Sequence, residues 1–175
     1  NLVQTVDGVP AFVHGGPFAN IAHGCNSVIA TKLALHLADW AITEAGFAFD
    51  LGAEKFFDIK CRVAGLDPAV VVLVATVRAL KYHGGVALGD LSRPDVAAVE
   101  RGLPNLEKHI ESIHHFGKAP VIALNRFDTD APDEIDAIAR CCERRGAAFA
   151  VSDHFARGGA GAEDLARTVM GRADE

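Results

Sequence analysis

The residues best equipped for chemistry lie in Pro120–Asp128, where the apolar run Pro-Val-Ile-Ala-Leu breaks into Asn125, Arg126, Phe127 and Asp128. Asn supplies a paired donor and acceptor, Arg a rigid cationic fork, and Phe a flat face for a ring. A buried strand that ends in such a cluster is where an open α/β sheet holds its ligand. An ordinary strand end followed by a turn reads the same way. Phe47, Phe127 and Phe155 all follow runs of strand character. Beyond strand ends they would wall a slot for a planar heterocycle, each stacked ring adding ~0.5–1.5 kcal/mol beyond area burial. Packed beneath loops, they would be core.

A second group of residues suits phosphate. The Gly15-Gly16 turn can bring backbone N–H groups against an anion, although a strand-to-helix turn needs glycine for steric reasons too. Asn20, His23 and Asn26 add donors to that loop, and His14 and His23 are candidates to orient a phosphate or move a proton near neutral pH. Glu44 follows an apolar run and precedes a glycine turn, where an acid either reaches a magnesium ion through water or caps the next segment. Arg78 and Lys81, just past a strand, are candidates for an anionic ligand. Lys55 and Lys60 share a helix with Glu54 and Asp58 and read as a solvated charged face. No Gly-x-x-x-x-Gly-Lys-Ser/Thr occurs, so a complete P-loop cannot be built from these 175 residues.

Composition narrows the class. A hydrophobic content of 50% with 23% charged residues is that of a soluble globular protein, and 175 residues suffice for a real core. The net charge of −6 gives no support to nucleic-acid binding. No apolar run approaches the ~20 residues needed to cross a bilayer. The four cysteines are scattered without CxxC spacing and the eight histidines lack HxxxH or HExxH patterns, which points to reduced, cytoplasmic thiols and no zinc site. The opening Asn-Leu-Val-Gln-Thr carries neither an initiator Met nor a signal peptide. An interior piece of a longer protein is expected.

The elements that must position these residues alternate. Strands are expected at Pro10–His14, Trp40–Thr43, Ala69–Ala75, Pro120–Leu124 and Ala147–Ser152. Helices are expected from Asn26 or Ser27 through Leu37, over 53–64, over Thr76–Gly85, from Pro104 to Gly117, from Thr129 or Asp130 to Gly146, and after Gly158-Gly159. This β-α alternation predicts a single α/β unit over 1–175, an open, mostly parallel sheet with flanking helices. Ligands collect at the carboxyl ends of such strands.

Longer segments carry a family resemblance. Val13–Ser27 (VHGGPFANIAHGCNS), Thr43–Arg62 (TEAGFAFDLGAEKFFDIKCR), Val74–Gly85 (VATVRALKYHGG) and Leu103–Glu111 (LPNLEKHIE) closely resemble formate–tetrahydrofolate ligase, and the similarity runs from end to end. The resemblance implies a P-loop-NTPase-like, dethiobiotin-synthetase-like part of a larger enzyme, with the P-loop in a missing amino-terminal portion. It implies that ATP, formate and tetrahydrofolate give ADP, phosphate and 10-formyltetrahydrofolate through formyl phosphate. Magnesium would accompany the nucleotide, potassium or ammonium would activate, and the parent would be a cytoplasmic homotetramer binding small molecules only. Phe127 and Phe155 resemble the pair that sandwiches the folate ring, Val151 an apolar wall beside them, and Phe47 an aromatic near the reacting groups. Asn125 resembles an Asn that contacts the purine, with Arg126 and the loop Gly158-Gly159 on the nucleotide side. The family often has Trp at 155, Lys at 126 and Pro at 128, where this chain has Phe, Arg and Asp. The alternative is a non-catalytic α/β module that keeps a folate or nucleotide slot without its P-loop.

Overall fold

A computed structural model describes residues 1–13 and 25–174, in two compact units, Asn1–Asp67 and Pro68–Glu175. His14, Gly15, Gly16, Asn20 and His23 lie outside the described residues.

In the first unit, β1 (Leu2–Gln4) and β2 (Pro10–Phe12) pair antiparallel, with Leu2 opposite Phe12. The strand expected at Pro10–His14 therefore belongs to a hairpin, not to a parallel sheet. Its turn is closed by the Thr5 hydroxyl, which accepts the Val9 N–H at 3.1 Å. Helix α1 (Val28–Leu37) opens at Ser27, whose hydroxyl accepts the Ala30 N–H at 3.1 Å. Ile29, Leu33 and Leu37, the expected inner stripe, are exposed, and the buried residue is Thr31.

No strand forms at Trp40–Thr43. Thr43 instead uses its hydroxyl on the distant Asn26 Oδ1 and the neighbouring Glu44 carbonyl, and Ile42 stays in solvent. Side-chain bonds of this kind offer the backbone an alternative to a ladder. Wide helical turns follow over Ala48–Ala53 and Phe56–Cys61, ending in α2 (Arg62–Ala64). As expected, Phe56, Phe57 and Cys61 are buried there. Lys60 is not on a solvated face: its ammonium is 2% exposed and donates to Asn26 Oδ1 at 2.7 Å and Thr31 Oγ1 at 2.8 Å. Burial pulls the Lys60 pKa below its ordinary value, against the opposing influence of Cys25 and Cys61.

The second unit holds the parallel sheet. Strands β3 (Val70–Ala75), β4 (Ala119–Asn125) and β5 (Ala148–Ser152) lie in the order β3-β4-β5, with Ala75 beside Leu124 and Asn125 beside Ser152. Helices α3 (Val77–His83), α4 (Val96–His115) and α5 (Pro132–Arg144) bury Val77, Leu80, Val99, Leu103, Leu106, Ile110 and Ile138 with Ile122 and Leu124. Helix α7 (Glu163–Ala173) packs against β5, β4 and β3. Val121 and Ala123, which alternate with Ile122 and Leu124 along the strand, are buried as well, so β4 is the central strand in burial as in order. This is the α/β architecture the alternation predicts, with three parallel strands among the described residues rather than five.

Helix α4 does not begin at Pro104. It begins at Val96, two residues after Pro94, where the Asp95 carboxylate accepts the Ala98 N–H at 2.8 Å, and Pro104 lies inside the helix on its exposed side. A proline there removes one backbone bond, that to the Glu100 carbonyl, on the face where water can satisfy it. On the opposite face Gly102 lets α3 approach: a Cβ at that position would stand 2.0 Å from the Leu80 carbonyl oxygen.

One ion pair ties these helices together. Lys81 and Glu134 are both fully buried and meet at 3.0 Å. The Lys81 ammonium also donates to the Arg93 carbonyl at 3.0 Å. Glu134 accepts the Asp95 N–H at 2.8 Å on the same oxygen and the Ala131 N–H at 2.9 Å on the other. Lys81 is therefore not the anion ligand that its position suggested. Burial raises the Glu134 carboxyl, but the Asp95 and Ala131 amides and Lys81 together hold it below the usual carboxylate range.

Two outcomes follow for stability. Glu134→Leu strands the Lys81 charge and should cost about 3–5 kcal/mol in denaturant unfolding. Because the folded Glu134 carboxyl is depressed, its contribution is complete above the ordinary carboxylate value and declines as pH falls through that value to the lowered one. The wild-type minus Glu134→Leu difference should shrink correspondingly in acid. Gly102→Ala should lower the midpoint by more than the helix propensity of Ala returns, since the atom it meets is rigid backbone.

Candidate functional site

The parallel register brings two loops side by side. Asn125 and Ser152 end neighbouring strands, so Arg126 and Phe127 emerge next to Asp153, His154 and Phe155. Backbone bonds join the loops: Arg126 N–H donates to the Ser152 carbonyl at 3.2 Å, and Asp153 N–H donates to the Gly161 carbonyl at 2.8 Å. Across them Arg126 Nε meets Asp153 Oδ1 at 2.8 Å. Both side chains are partly solvated, so the pair aligns the guanidinium more than it stabilises the fold.

Phe127 is held by its own turn. Its carbonyl accepts the Asp130 N–H at 2.9 Å, and its N–H donates to Asp130 Oδ2 at 2.9 Å. Asp128 and Thr129 are thus the two central residues of a tight turn, with Asp128 at the position where proline is favoured. Asp in place of Pro at 128 keeps the turn and adds an exposed carboxylate. Burial raises the Asp130 carboxyl above its ordinary value, with the Phe127 N–H opposing and Glu134 assisting the rise. The guanidinium carbon of Arg78 stands 4.5 Å from the Phe127 ring centroid, so one face of that ring is covered.

The other loop is built on a short helix, α6 (His154–Arg157), followed by a tight turn over Gly158–Ala162. Phe155 is 90% exposed. Gly158 adopts φ 59°, ψ −147°, a region open essentially to glycine alone. Gly161 passes so close beneath Asp153 that a Cβ there would meet its carbonyl oxygen at 2.4 Å. A cavity of about 360 Å³ opens between the loops, lined among others by Arg126, Val151, Asp153, Arg157 and Gly161. The Ser152 hydroxyl is buried and bonded to His154 Nδ1 at 2.8 Å, which ties the end of β5 to the start of α6. The lining also holds Glu163 and Asp164 and includes neither Phe127 nor Phe155, so the cavity itself is polar and the two aromatic rings stand on the loops outside it. An edge with rings beside a polar recess suits a planar ring that carries polar groups.

Of the expected site residues, Asn125, Arg126, Phe127, Val151, Phe155, Gly158 and Gly159 thus gather at the carboxyl ends of β4 and β5. Phe47 and Glu44 belong to the first unit, both exposed, and Phe47 opens the wide turn by accepting the Gly52 N–H at 2.8 Å. Glu44 does not end a strand, because no strand forms before it. Among the described residues no group of three or more His, Cys, Asp or Glu could hold a metal ion, and no helix is long and apolar enough to cross a membrane. Two partners escaped the sequence reading. Asp130 carried a local signal, an acid three residues after Phe127. Asp153 lies 27 positions from Arg126 and is placed beside it only by strand register.

Cys141 and Cys142 are buried, and burial opposes their ionisation. Burial pushes Cys142 up to about 12, and burial with the Glu107 hydrogen bond pushes Cys141 up to about 11.

Residues 1–175 match throughout a family model described as formate--tetrahydrofolate ligase. The chain is 62% identical to the protein of that name from Zymomonas mobilis subsp. mobilis, over 99% of this chain and 31% of the relative. With the formate--tetrahydrofolate ligase of a Psychrobacter species it shares 58% identity, over 97% of this chain and 30% of the relative. For that of Cereibacter sphaeroides the identity is 60%, over 99% and 31%. The chain therefore spans about a third of the length of the curated relatives it matches. With a family match along its whole length and identities near 60%, the chain belongs to the formate–tetrahydrofolate ligase family.

Proposed function

We propose that this chain is the folate-side and purine-side portion of an ATP-dependent ligase that makes 10-formyltetrahydrofolate from formate and tetrahydrofolate. The observation that carries the reading is the extent of the match, 62% identity over 99% of the chain, with relatives bearing that enzyme's name. The geometry supports it through the aromatic and arginine-lined edge at β4 and β5. In the reaction, a formate oxygen attacks the γ-phosphorus of ATP and ADP leaves. The folate amine then attacks the carbon of formyl phosphate, and phosphate and the amine proton depart.

This chain's share is binding and orientation. Phe127 and Phe155 stack on the folate ring with Val151 beside them, and Phe47 lies near the reacting groups. Asn125, Arg126, Gly158 and Gly159 serve the nucleotide side. Arg126, held by Asp153, presents its remaining donors to an anion. His14, Asn20 and His23 are assigned to the phosphoryl and proton steps. The P-loop that holds the phosphates comes from the rest of the protein. Glu44 is a lone exposed carboxylate, enough to reach magnesium through water but not a metal site by itself, and no step is drawn through the ion. The parent is a cytoplasmic homotetramer activated by potassium or ammonium.

In the full-length ligase, Phe127→Ala should raise the KM for tetrahydrofolate by about 10-fold, from the lost stacking and apolar contact. Steady-state assays of formyltetrahydrofolate production would show this, and a wild-type KM would reject the folate slot. The isolated chain should give no turnover until a P-loop-bearing fragment is supplied.

A further inference from the structure

Arg78, a candidate for an anionic ligand by its place just past β3, stands over an aromatic ring. It is the second residue of α3, just past the Thr76 cap at the end of β3, and β3 neighbours β4 in the sheet. Its guanidinium lies over the Phe127 ring at 4.5 Å. The Arg78 Nε is buried and has no hydrogen-bond partner among the described residues, so that N–H does not hold the group in place. The guanidinium does contact the ring. On the backbone side, Asp130 grips the Phe127 N–H with one oxygen, while its other oxygen is buried without a partner. Two charged groups thus tolerate unmade bonds beside one aromatic ring. Each such bond is costly, and their retention here is explained by the placement of Phe127.

We infer that Arg78 is a positioning residue for the folate slot: its guanidinium occupies one face of Phe127, so that a planar ligand stacks on the opposite face only. The inference rests on the folate reading and deepens it. A ring with both faces open could take the ligand from either side or turn about χ1. With one face covered and its backbone pinned by Asp130, Phe127 offers a single platform at a fixed tilt. Arginine suits this task because its planar, weakly hydrated cation stacks on an aromatic face, whereas lysine brings charge without a plane.

The test uses the full-length ligase with Arg78→Ala, Arg78→Lys and Phe127→Ala, each assayed for the KM of tetrahydrofolate and of formate and for thermal stability. Arg78→Ala should raise the KM for tetrahydrofolate about 3- to 10-fold, with the KM for formate near wild type. Arg78→Lys should recover only part of the loss. A wild-type tetrahydrofolate KM in Arg78→Ala, beside a raised value in Phe127→Ala, overturns the positioning role and leaves the folate slot standing. If both substrates' KM values move together with the melting temperature, Arg78 is structural only and the inference fails. A wild-type value in Phe127→Ala overturns the slot and the inference with it. Should Arg78→Ala not fold, Arg78→Gln, which keeps a planar neutral group, takes its place with the same outcomes.

Discussion

The second unit depends on a charge pair that sees no water. Lys81 on α3 and Glu134 on α5 are fully buried at 3.0 Å, and around them the Arg93 carbonyl and the Asp95 and Ala131 amides complete the bonding. Burying two charges is costly, and the attraction repays it only when the remaining donors and acceptors are satisfied as well. Here three backbone segments supply the partners: the loop before α4, the α4 cap and the α5 cap. The pair therefore fixes where both helices start. Of these, α5 follows the carboxyl end of β4, so its start borders the proposed ligand edge. An apolar pair of equal volume would pack these helices but leave the amides of Asp95 and Ala131 without acceptors.

From that constraint the arrangement of the edge follows. Fixing α5 at Pro132 leaves the six residues 126–131 to join β4 to the helix, too few for anything but a tight turn. The turn runs from Phe127 to Asp130, and it turns the ring toward Arg78. On the next strand, close passage of Gly161 under Asp153 sets the second loop, and Asp153 in turn sets Arg126. Arg126 and Phe127 are thus each held by a carboxylate, Asp153 in one case and Asp130 in the other.

This explains what the sequence could disclose. Strands β3, β4 and β5 were legible because strands covered by helices need unbroken apolar runs, and Val70–Ala75, Ala119–Leu124 and Ala148–Val151 provide them. The glycines at 117 and 146 marked helix ends where expected, both with positive φ. The first unit was read less well. Trp40–Thr43 has the composition of a strand but engages Asn26 through the Thr43 hydroxyl, a contact 17 residues away that no local pattern reveals. Lys60 and Lys81 fail for a shared reason. Lys60, beside acids in a helical sequence, looks solvated, and Lys81, just past a strand, looks placed for an anionic ligand; only tertiary structure shows each ammonium bonded inside, to Asn26 and Thr31 in one case and to Glu134 in the other. Pro104 misled because proline prefers the first turn, whereas the Asp95 cap had already opened the helix eight residues earlier. For the site, the strand-end residues were legible and their supports were not, since Asp153 and Arg78 reach it through strand pairing.

The two aromatic walls of the proposed folate slot are not equivalent. Phe127 is tied at its N–H and carbonyl and covered on one face, so its ordering is complete before any ligand arrives. Phe155 stands almost wholly in solvent on a four-residue helix, and a ligand that stacks on it must immobilise it. Immobilising an exposed side chain costs roughly 0.5–1.5 kcal/mol, about the same as one stacked pair contributes. Phe155 thus adds little net affinity by stacking alone. In the proposed slot, its role is to exclude water from the second face of the bound ring. A larger indole at 155 would shift that balance toward affinity through added area, while leaving the wall built by Arg78, Phe127 and Asp130 to decide orientation.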